Sequence, residues 1–309
     1  MSTSNKKQHF LFGVALALIT VIIWSGNYVV ARGVSKQIPP ISLAFYRWAT
    51  ASICIIPFAY KKVIAEKQII IQHKNYLFWV SLTGVAIFNT FIYLAGHYTT
   101  AINLALIGTT AAPIFATILA AIFLKEIISL YRIAGMVLCI VSILFLLSKG
   151  SLQNLINFHF SKGDALMFFS AFSFAIYNTL VRKKPTNLSP ISFLMVTFIV
   201  GTLLLLPFYL NELSYSQPIV WNSNLIATIL YIGIGNSVIG FLCWNAAIGK
   251  IGASATILFA NLIPIFSTIE AVLILGEQFS NVHLIAGVLV ITGLVIANFQ
   301  KKKKQVISI

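Results

Sequence analysis

Long unbroken runs of apolar residues alternate along the chain with short polar segments. The pattern shows neither the two-residue alternation of a half-buried strand nor the narrow apolar stripe of a surface helix. Ten runs stand out, at residues 10–31, 41–60, 76–97, 101–124, 130–148, 163–182, 190–210, 225–248, 252–276 and 281–299, here spans 1 to 10. Each is close to the roughly 20 residues that an α-helix needs to cross the hydrocarbon core. In lipid a backbone must satisfy its own polar groups, so the runs predict an all-α polytopic membrane protein with ten transmembrane helices. Pro113 and Pro264 lie inside spans 4 and 9. They are expected to kink those helices where protein or water covers the carbonyl that each proline frees. The first run, from Phe10 to Ala31, is too long for a signal-peptide core and lacks a small-residue cleavage site, so it is expected to stay as the first helix.

Composition points the same way. The 309 residues are 59% hydrophobic and 9% charged, against about 25% charged in a soluble domain. A net charge of +15 could suggest nucleic acid, but the basic residues sit in clusters between apolar spans, as membrane topology requires. With the N-terminus in the cytoplasm, sixteen basic residues fall in cytoplasmic segments: Lys6, Lys7, Lys61, Lys62, Lys67, Lys74, Lys125, Arg132, Arg182, Lys183, Lys184, Lys250 and Lys301 to Lys304. Four fall outside, namely Arg32, Lys36, Lys149 and Lys162, and Arg47 lies within a span. The bias predicts both termini in the cytoplasm and an even number of spans. Cys54, Cys139 and Cys243 each lie in an apolar span and read as small buried hydrophobes.

The chain also repeats itself. Pro40-Ile41-Ser42 recurs as Pro190-Ile191-Ser192 and Pro57-Phe58 as Pro207-Phe208, both 150 residues later. Arg32 recurs as Arg182 at the same shift. Pro113-Ile114-Phe115 recurs as Pro264-Ile265-Phe266 and Glu126 with Ser129 as Glu277 with Ser280, a shift of 151; Ala134-Gly135 recurs as Ala286-Gly287, a shift of 152. The ordered series and its slow drift indicate a duplication that joins near residues 149–162, with units 1–149 and 150–309. Five spans per unit make the two halves cross in opposite directions, the inverted repeat of many secondary transporters.

These residues carry a resemblance. Trp24-Ser25-Gly26-Asn27-Tyr28, Tyr46-Arg47, the Pro113…Glu126 and Pro264…Glu277 pairs at equal spacing, and the basic C-terminal tail resemble the ten-helix drug/metabolite transporter superfamily, EamA-type. The resemblance implies a basket-like bundle around a central cavity. It also implies uptake or export of small metabolites, often amino acids or their relatives, without singling out the cargo.

An inverted repeat places its substrate near the midplane between the halves. The polar and aromatic residues expected there are Trp24, Asn27 and Tyr28 on span 1, Arg47 on span 2, Asn89 and Tyr93 on span 3, and Thr110 on span 4. The second half offers Tyr177 and Asn178 on span 6, Asn236 and Trp244 on span 8, and Asn261 on span 9. Aromatic walls with a few hydrogen-bonding groups suit a solute with polar and apolar parts; the competing reading is helix packing, with polar residues bonding across helices. Arg47 at depth is expected either to attract a substrate carboxylate or to snorkel outward. Glu270 is expected to be a proton-coupling site or a structural partner for a neighbouring helix. Glu126 and Glu277 are expected to be solvated helix ends or a symmetric pair of gate contacts.

The function that follows is alternating-access transport of a small organic metabolite by a multi-pass protein of the plasma membrane (the bacterial inner membrane). The alternatives are a channel or a non-transporting scaffold, and an intramembrane enzyme is further off. No catalytic set is visible, and there is no P-loop for direct ATP drive. The scarcity of carboxylates at depth argues against a metal cargo. No cofactor, resident metal or nucleic-acid partner is called for; the partners are the bilayer and a small molecule, and the oligomeric state is left open, a monomer being compatible with the pattern. In right-side-out vesicles, an impermeant thiol reagent is expected to label single cysteines at positions 36 and 153 but not at 62 and 184. Labelling of the second pair would overturn the orientation.

Overall fold

The computed structural model describes residues 3–126, 128–156 and 161–297. Lys301 to Lys304 of the basic tail and the last two residues of predicted span 10 lie outside them. The ten spans form helices over Thr3–Gly33, Pro40–Ala65, Lys74–Gly96, Ala101–Phe123, Leu130–Leu147, Lys162–Val181, Pro190–Tyr215, Ser223–Ile251, the pair Ala253–Ala260 and Ile263–Leu275, and Asn281–Ala297. Nine of these are long and apolar enough to cross a membrane, and Asn281–Ala297 is a shorter apolar helix. Most boundaries match the apolar runs. Spans 2 and 7 run five residues beyond them, because their polar last turns stay helical and carry carboxylates to another helix.

The duplication is visible in the packing. Spans 2 and 7 pack on each other, as do spans 4 and 9 and spans 5 and 10. Span 1 packs on span 8 as span 6 packs on span 3, and span 2 packs on span 8 as span 7 packs on span 3. Every pair named has its repeat-related mate, so a pseudo-twofold axis relates the two halves. Spans 5 and 10 approach closely through glycines. A Cβ at Gly293 would lie 2.7 Å from Cys139 Sγ and 2.8 Å from Gly135 O, and Ser142 Oγ donates across the same seam to Ala286 O at 2.7 Å.

Acidic side chains close helix ends across the axis. In span 7, Glu212 accepts from the backbone N–H groups of Ile41 (3.1 Å) and Ser42 (2.6 Å), and from the Ser42 hydroxyl (2.8 Å), at the start of span 2. Just past span 2, Glu66 accepts from the N–H (3.1 Å) and hydroxyl (3.0 Å) of Ser189 at the start of span 7. A carboxylate satisfies orphan N–H groups there and faces the positive end of the helix dipole. Asp164 serves its own helix, in a capping box with Ser161.

Two regular departures from α-helix also repeat. Leu82–Ile87 in span 3 and Tyr231–Ile239 in span 8 are π-helical, a widening often found at functional sites. The proline-bearing helices differ. Span 4 runs unbroken through Pro113, whereas span 9 breaks at Asn261 and Leu262, just before Pro264.

Burial pushes the Glu66 carboxyl up, but hydrogen bonds from Ser192 and Ser189 and the charge of Lys62 outweigh it and hold the carboxyl below its ordinary 4.5. A depressed value stabilises the fold above the unfolded value, and that gain is lost as pH falls through the folded one. The melting temperature of the wild type is therefore expected to fall more steeply below pH 4.5 than that of Glu66→Gln. At neutral pH the variant should be less stable by about 1 kcal/mol. Parallel pH profiles would contradict the cap.

Candidate functional site

The polar centre forms around Arg47, which is 3% exposed in the middle of the bundle. Its Nη1 donates to Asn27 Oδ1 (2.6 Å), Asn89 Oδ1 (2.8 Å) and Tyr93 Oη (2.9 Å). Its Nη2 donates to Asn236 Oδ1 (2.7 Å) and its Nε to Ser237 Oγ (2.9 Å). Spans 1, 3 and 8 thus converge on one guanidinium from span 2. The Trp48 ring lies 4.8 Å from the guanidinium carbon, close enough for cation–π attraction. Every partner is neutral. Among the described residues the ion pairs within 4.0 Å are Lys62–Glu66, Arg132–Glu126 and Arg182–Glu126, none of which involves Arg47. A buried charge without a counter-ion is costly unless dipoles surround it, and here five do.

The acceptors are themselves fixed. Tyr93 Oη donates to Asn27 Oδ1 at 3.0 Å. Asn236 Nδ2 donates to Ile23 O at 2.8 Å, and Trp24 Nε1 donates to Asn236 O at 3.1 Å. Asn236 and Ser237 are consecutive, and an α-helix would point them about 100° apart. Both lie in the π-helical turn and reach different nitrogens of Arg47, with the Ser237 hydroxyl bonded to Ile232 O five residues back at 2.9 Å.

A guanidinium carries five N–H hydrogens. One goes to Ser237, two serve the three acceptors at Nη1, and one goes to Asn236, so one Nη2 hydrogen is unspent. Trp48 Nε1, also buried, has no partner. Both residues line a cavity of ≈120 Å³ with Trp24, Asn27, Tyr28, Phe88, Asn89, Phe174, Tyr177, Phe198, Asn236 and Phe241. The cavity is thus lined by a cation and three asparagines together with seven aromatic rings besides Trp48. At ~30 Å³ per water it holds only a few water-sized molecules in this conformation. Gly84 shapes one wall, since a Cβ there would fall on the Tyr177 ring.

Of the residues expected from sequence, Trp24, Asn27, Tyr28, Arg47, Asn89, Tyr177 and Asn236 line this cavity, and Tyr93 joins it through Arg47. Arg47 does not snorkel to the surface. Trp244 stands behind Trp24, ring centroids 5.0 Å apart. The remainder lie off the cavity. Thr110 is fully buried, with its hydroxyl returned to Leu106 O at 2.6 Å. Asn178 is half-buried on span 6. Asn261 sits at the break in span 9, its Nδ2 unpartnered. Pro113 is exposed, and Pro264 with Thr268 lines an apolar groove of ≈520 Å³ beside span 10. Glu270 is half-buried and its Oε2 has no hydrogen-bond partner, so no bond at that oxygen serves the structural role expected of it. Sequence reasoning missed Trp48 and Ser237, each adjacent to a residue it selected. It also missed Phe88, Phe198 and Phe241, which were indistinguishable from other apolar positions.

The EamA-like transporter family matches the chain twice, over residues 11–148 and 161–299. The chain belongs to that family. Among its relatives is an uncharacterized transporter of Archaeoglobus fulgidus, 28% identical, with 94% of this chain and 96% of the relative covered. Another, in Salmonella typhimurium, is named a probable amino-acid metabolite efflux pump, at 25% identity with 92% and 94% covered. A third carries the same name in Escherichia coli, at 22% identity with 95% and 97% covered. A solved crystal structure shares the fold with a TM-score of 0.63 at 17% identity, covering 94% of this chain and 96% of that one. This EamA-like chain is accordingly a multi-pass membrane protein and a small-molecule transporter.

The cage of this EamA-like chain can be probed from both ends. Tyr93→Phe leaves two acceptors for the two Nη1 hydrogens and should cost under about 1 kcal/mol. Asn236→Ala strips Nη2 of its only acceptor and should cost roughly 2 kcal/mol. The order of the two melting temperatures is the check, and equal losses would contradict the donor count.

Proposed function

We propose that the chain is a secondary transporter that carries a small organic carboxylate, an amino acid or a related metabolite, by alternating access. Both termini would lie in the cytoplasm, and the host membrane would be the plasma membrane (the bacterial inner membrane). One observation carries the cargo: a buried Arg47 with no carboxylate partner and an unspent hydrogen beside a cavity. A charge-assisted bond from the unspent Nη2 hydrogen to a carboxylate oxygen is strong, and the substrate would supply the missing negative charge. Asn27, Asn89, Tyr93 and Asn236 would hold Arg47 in place, while Trp24, Tyr28 and Tyr177 would meet the apolar part of the substrate. The names of the Salmonella and Escherichia relatives, probable amino-acid metabolite efflux pumps, support the amino-acid class.

The cavity favours alternating access over an open pore. Its ≈120 Å³ is walled by both halves, so a metabolite would be enclosed on its way through. An inverted repeat supplies two equivalent ways of tilting one half on the other.

A thermal-shift screen of the purified protein tests the cargo. A ligand at 100 times its Kd stabilises the folded state by about 2.7 kcal/mol, so carboxylates should raise the melting temperature and the matching amides should not. Hits should then give counterflow in proteoliposomes. Arg47→Lys keeps the charge without the fork and should weaken binding at least about tenfold. Normal transport by both Arg47→Lys and Arg47→Gln would sink the carboxylate role.

A further inference from the structure

Glu126 and Glu277 are presented alike by the two halves. In each, the preceding residue is left-handed, Lys125 at φ 55° and Gly276 at φ 66°. In each, the glutamate N–H bonds back six residues at 3.3 Å, to Ala120 O and to Ala271 O. Yet the side chains do different things. Glu277 accepts from the backbone N–H groups of Ala101 (2.7 Å) and Ile102 (3.1 Å), closing the start of span 4. The repeat-related bond would run from Glu126 to the start of span 9, and none is found among the described residues. The N-cap of span 9 is Gly252, which has no side chain of its own to cap the helix, whereas Thr100 caps span 4 through Asn103 N. Glu126 instead turns to Arg182 (2.6 Å) and Arg132 (3.9 Å).

Two further asymmetries accompany this one. Span 4 is continuous through its proline, whereas span 9 is broken before its proline. Span 4 packs along span 1, but the mate pair, spans 9 and 6, shows no such packing among the described residues. All three differences have one sense: the end of the bundle with Glu277 is closed, and the end with Glu126 is loosened.

We infer that Glu277 and Glu126 are alternating latches of the transport cycle, each closing one end of the bundle by capping the first turn of the other half's proline-bearing helix. This structure is the state with the Glu277 latch made. In the opposite state Glu126 caps residues 253 and 254, span 9 straightens, span 4 bends at Pro113, and Glu277 is released. Its released partner would be Arg32, the repeat counterpart of Arg182 (182 − 32 = 150). Each released glutamate thus has a cation waiting, so neither state leaves a carboxylate unpartnered. The exchange keeps the number of capped helix ends constant, which lets two conformations lie close in free energy.

The inference rests on the alternating-access reading, but its test needs no cargo. Hydrogen exchange is followed in the full-length purified protein at two places, residues 101–108 and 253–260. The wild type should protect the first and expose the second. Glu277→Gln removes the made latch and should reverse the order, with a change of roughly tenfold in the ratio of the two rates, the size expected for losing charge-assisted bonds to two N–H groups. Arg182→Gln, at an exposed pair outside the bundle core, frees Glu126 and should shift the ratio the same way. Glu126→Gln should shift it in the opposite sense or leave it at its wild-type extreme. If Glu277→Gln and Arg182→Gln both leave the ratio within twofold of the wild type, or if either speeds exchange at both places together, the latch pair is wrong. Transport failing in the wild type would count against the cargo reading and leave this exchange of caps standing.

Discussion

No water reaches the hydrocarbon core, so each charge and each helix end placed near it must find its partner inside the chain. That constraint explains where this sequence spends its few charged residues. It has six acidic side chains. Glu66, Glu212 and Glu277 close the first turn of a helix in the other half, and Asp164 closes its own. Carboxylates that serve as caps cannot also neutralise a buried cation, and Arg47 is left to neutral dipoles. The same economy that holds the two halves together therefore leaves a positive centre without a carboxylate partner among the described residues.

Duplication supplies the scaffold, and departures from it supply the function. The two π-helical turns and the 2–7 and 5–10 seams obey the pseudo-twofold, and the Glu66 and Glu212 caps match in role though not in register. Arg47 does not, because its counterpart is Thr197, whose hydroxyl turns back to Phe193 O at 2.9 Å. A single off-axis cation gives the cavity a polar side and an aromatic side, and so a preferred orientation for whatever enters. Two symmetric arginines would repel each other across a low-dielectric gap of this size.

The helices were legible in the sequence because lipid imposes a length and a polarity on them that no tertiary contact overrides. The duplication was legible because prolines, glutamates and glycines survive as landmarks in an otherwise interchangeable apolar text. The site was partly legible. Arg47, Asn27, Asn89 and Asn236 are conspicuous, since a polar group at depth is expensive. Ser237 was hidden because wheel geometry assumes 3.6 residues per turn, and the π-helical turn breaks that assumption. Thr110 and Asn261 were misleading for a related reason: a hydroxyl can return its hydrogen to its own helix, and a break in the helix moves the face on which a residue sits. The failed equivalence of Pro113 and Pro264 belongs to conformation. Two matched sequences sit in unlike states, and a sequence records only the match.

A rigid symmetric bundle with every cap made at both ends would have one deep minimum and no cycle. A bundle missing a cap at both ends would leave orphan N–H groups and unpaired carboxylates at two membrane faces. The arrangement seen here lies between, with one cap made, its mate exchanged for an exposed arginine, and a proline in each of the two helices whose ends are at stake. The cation at the centre and the carboxylates at the ends are then parts of one electrostatic design. The ends are closed by charges the centre does without, and the centre is held by dipoles alone.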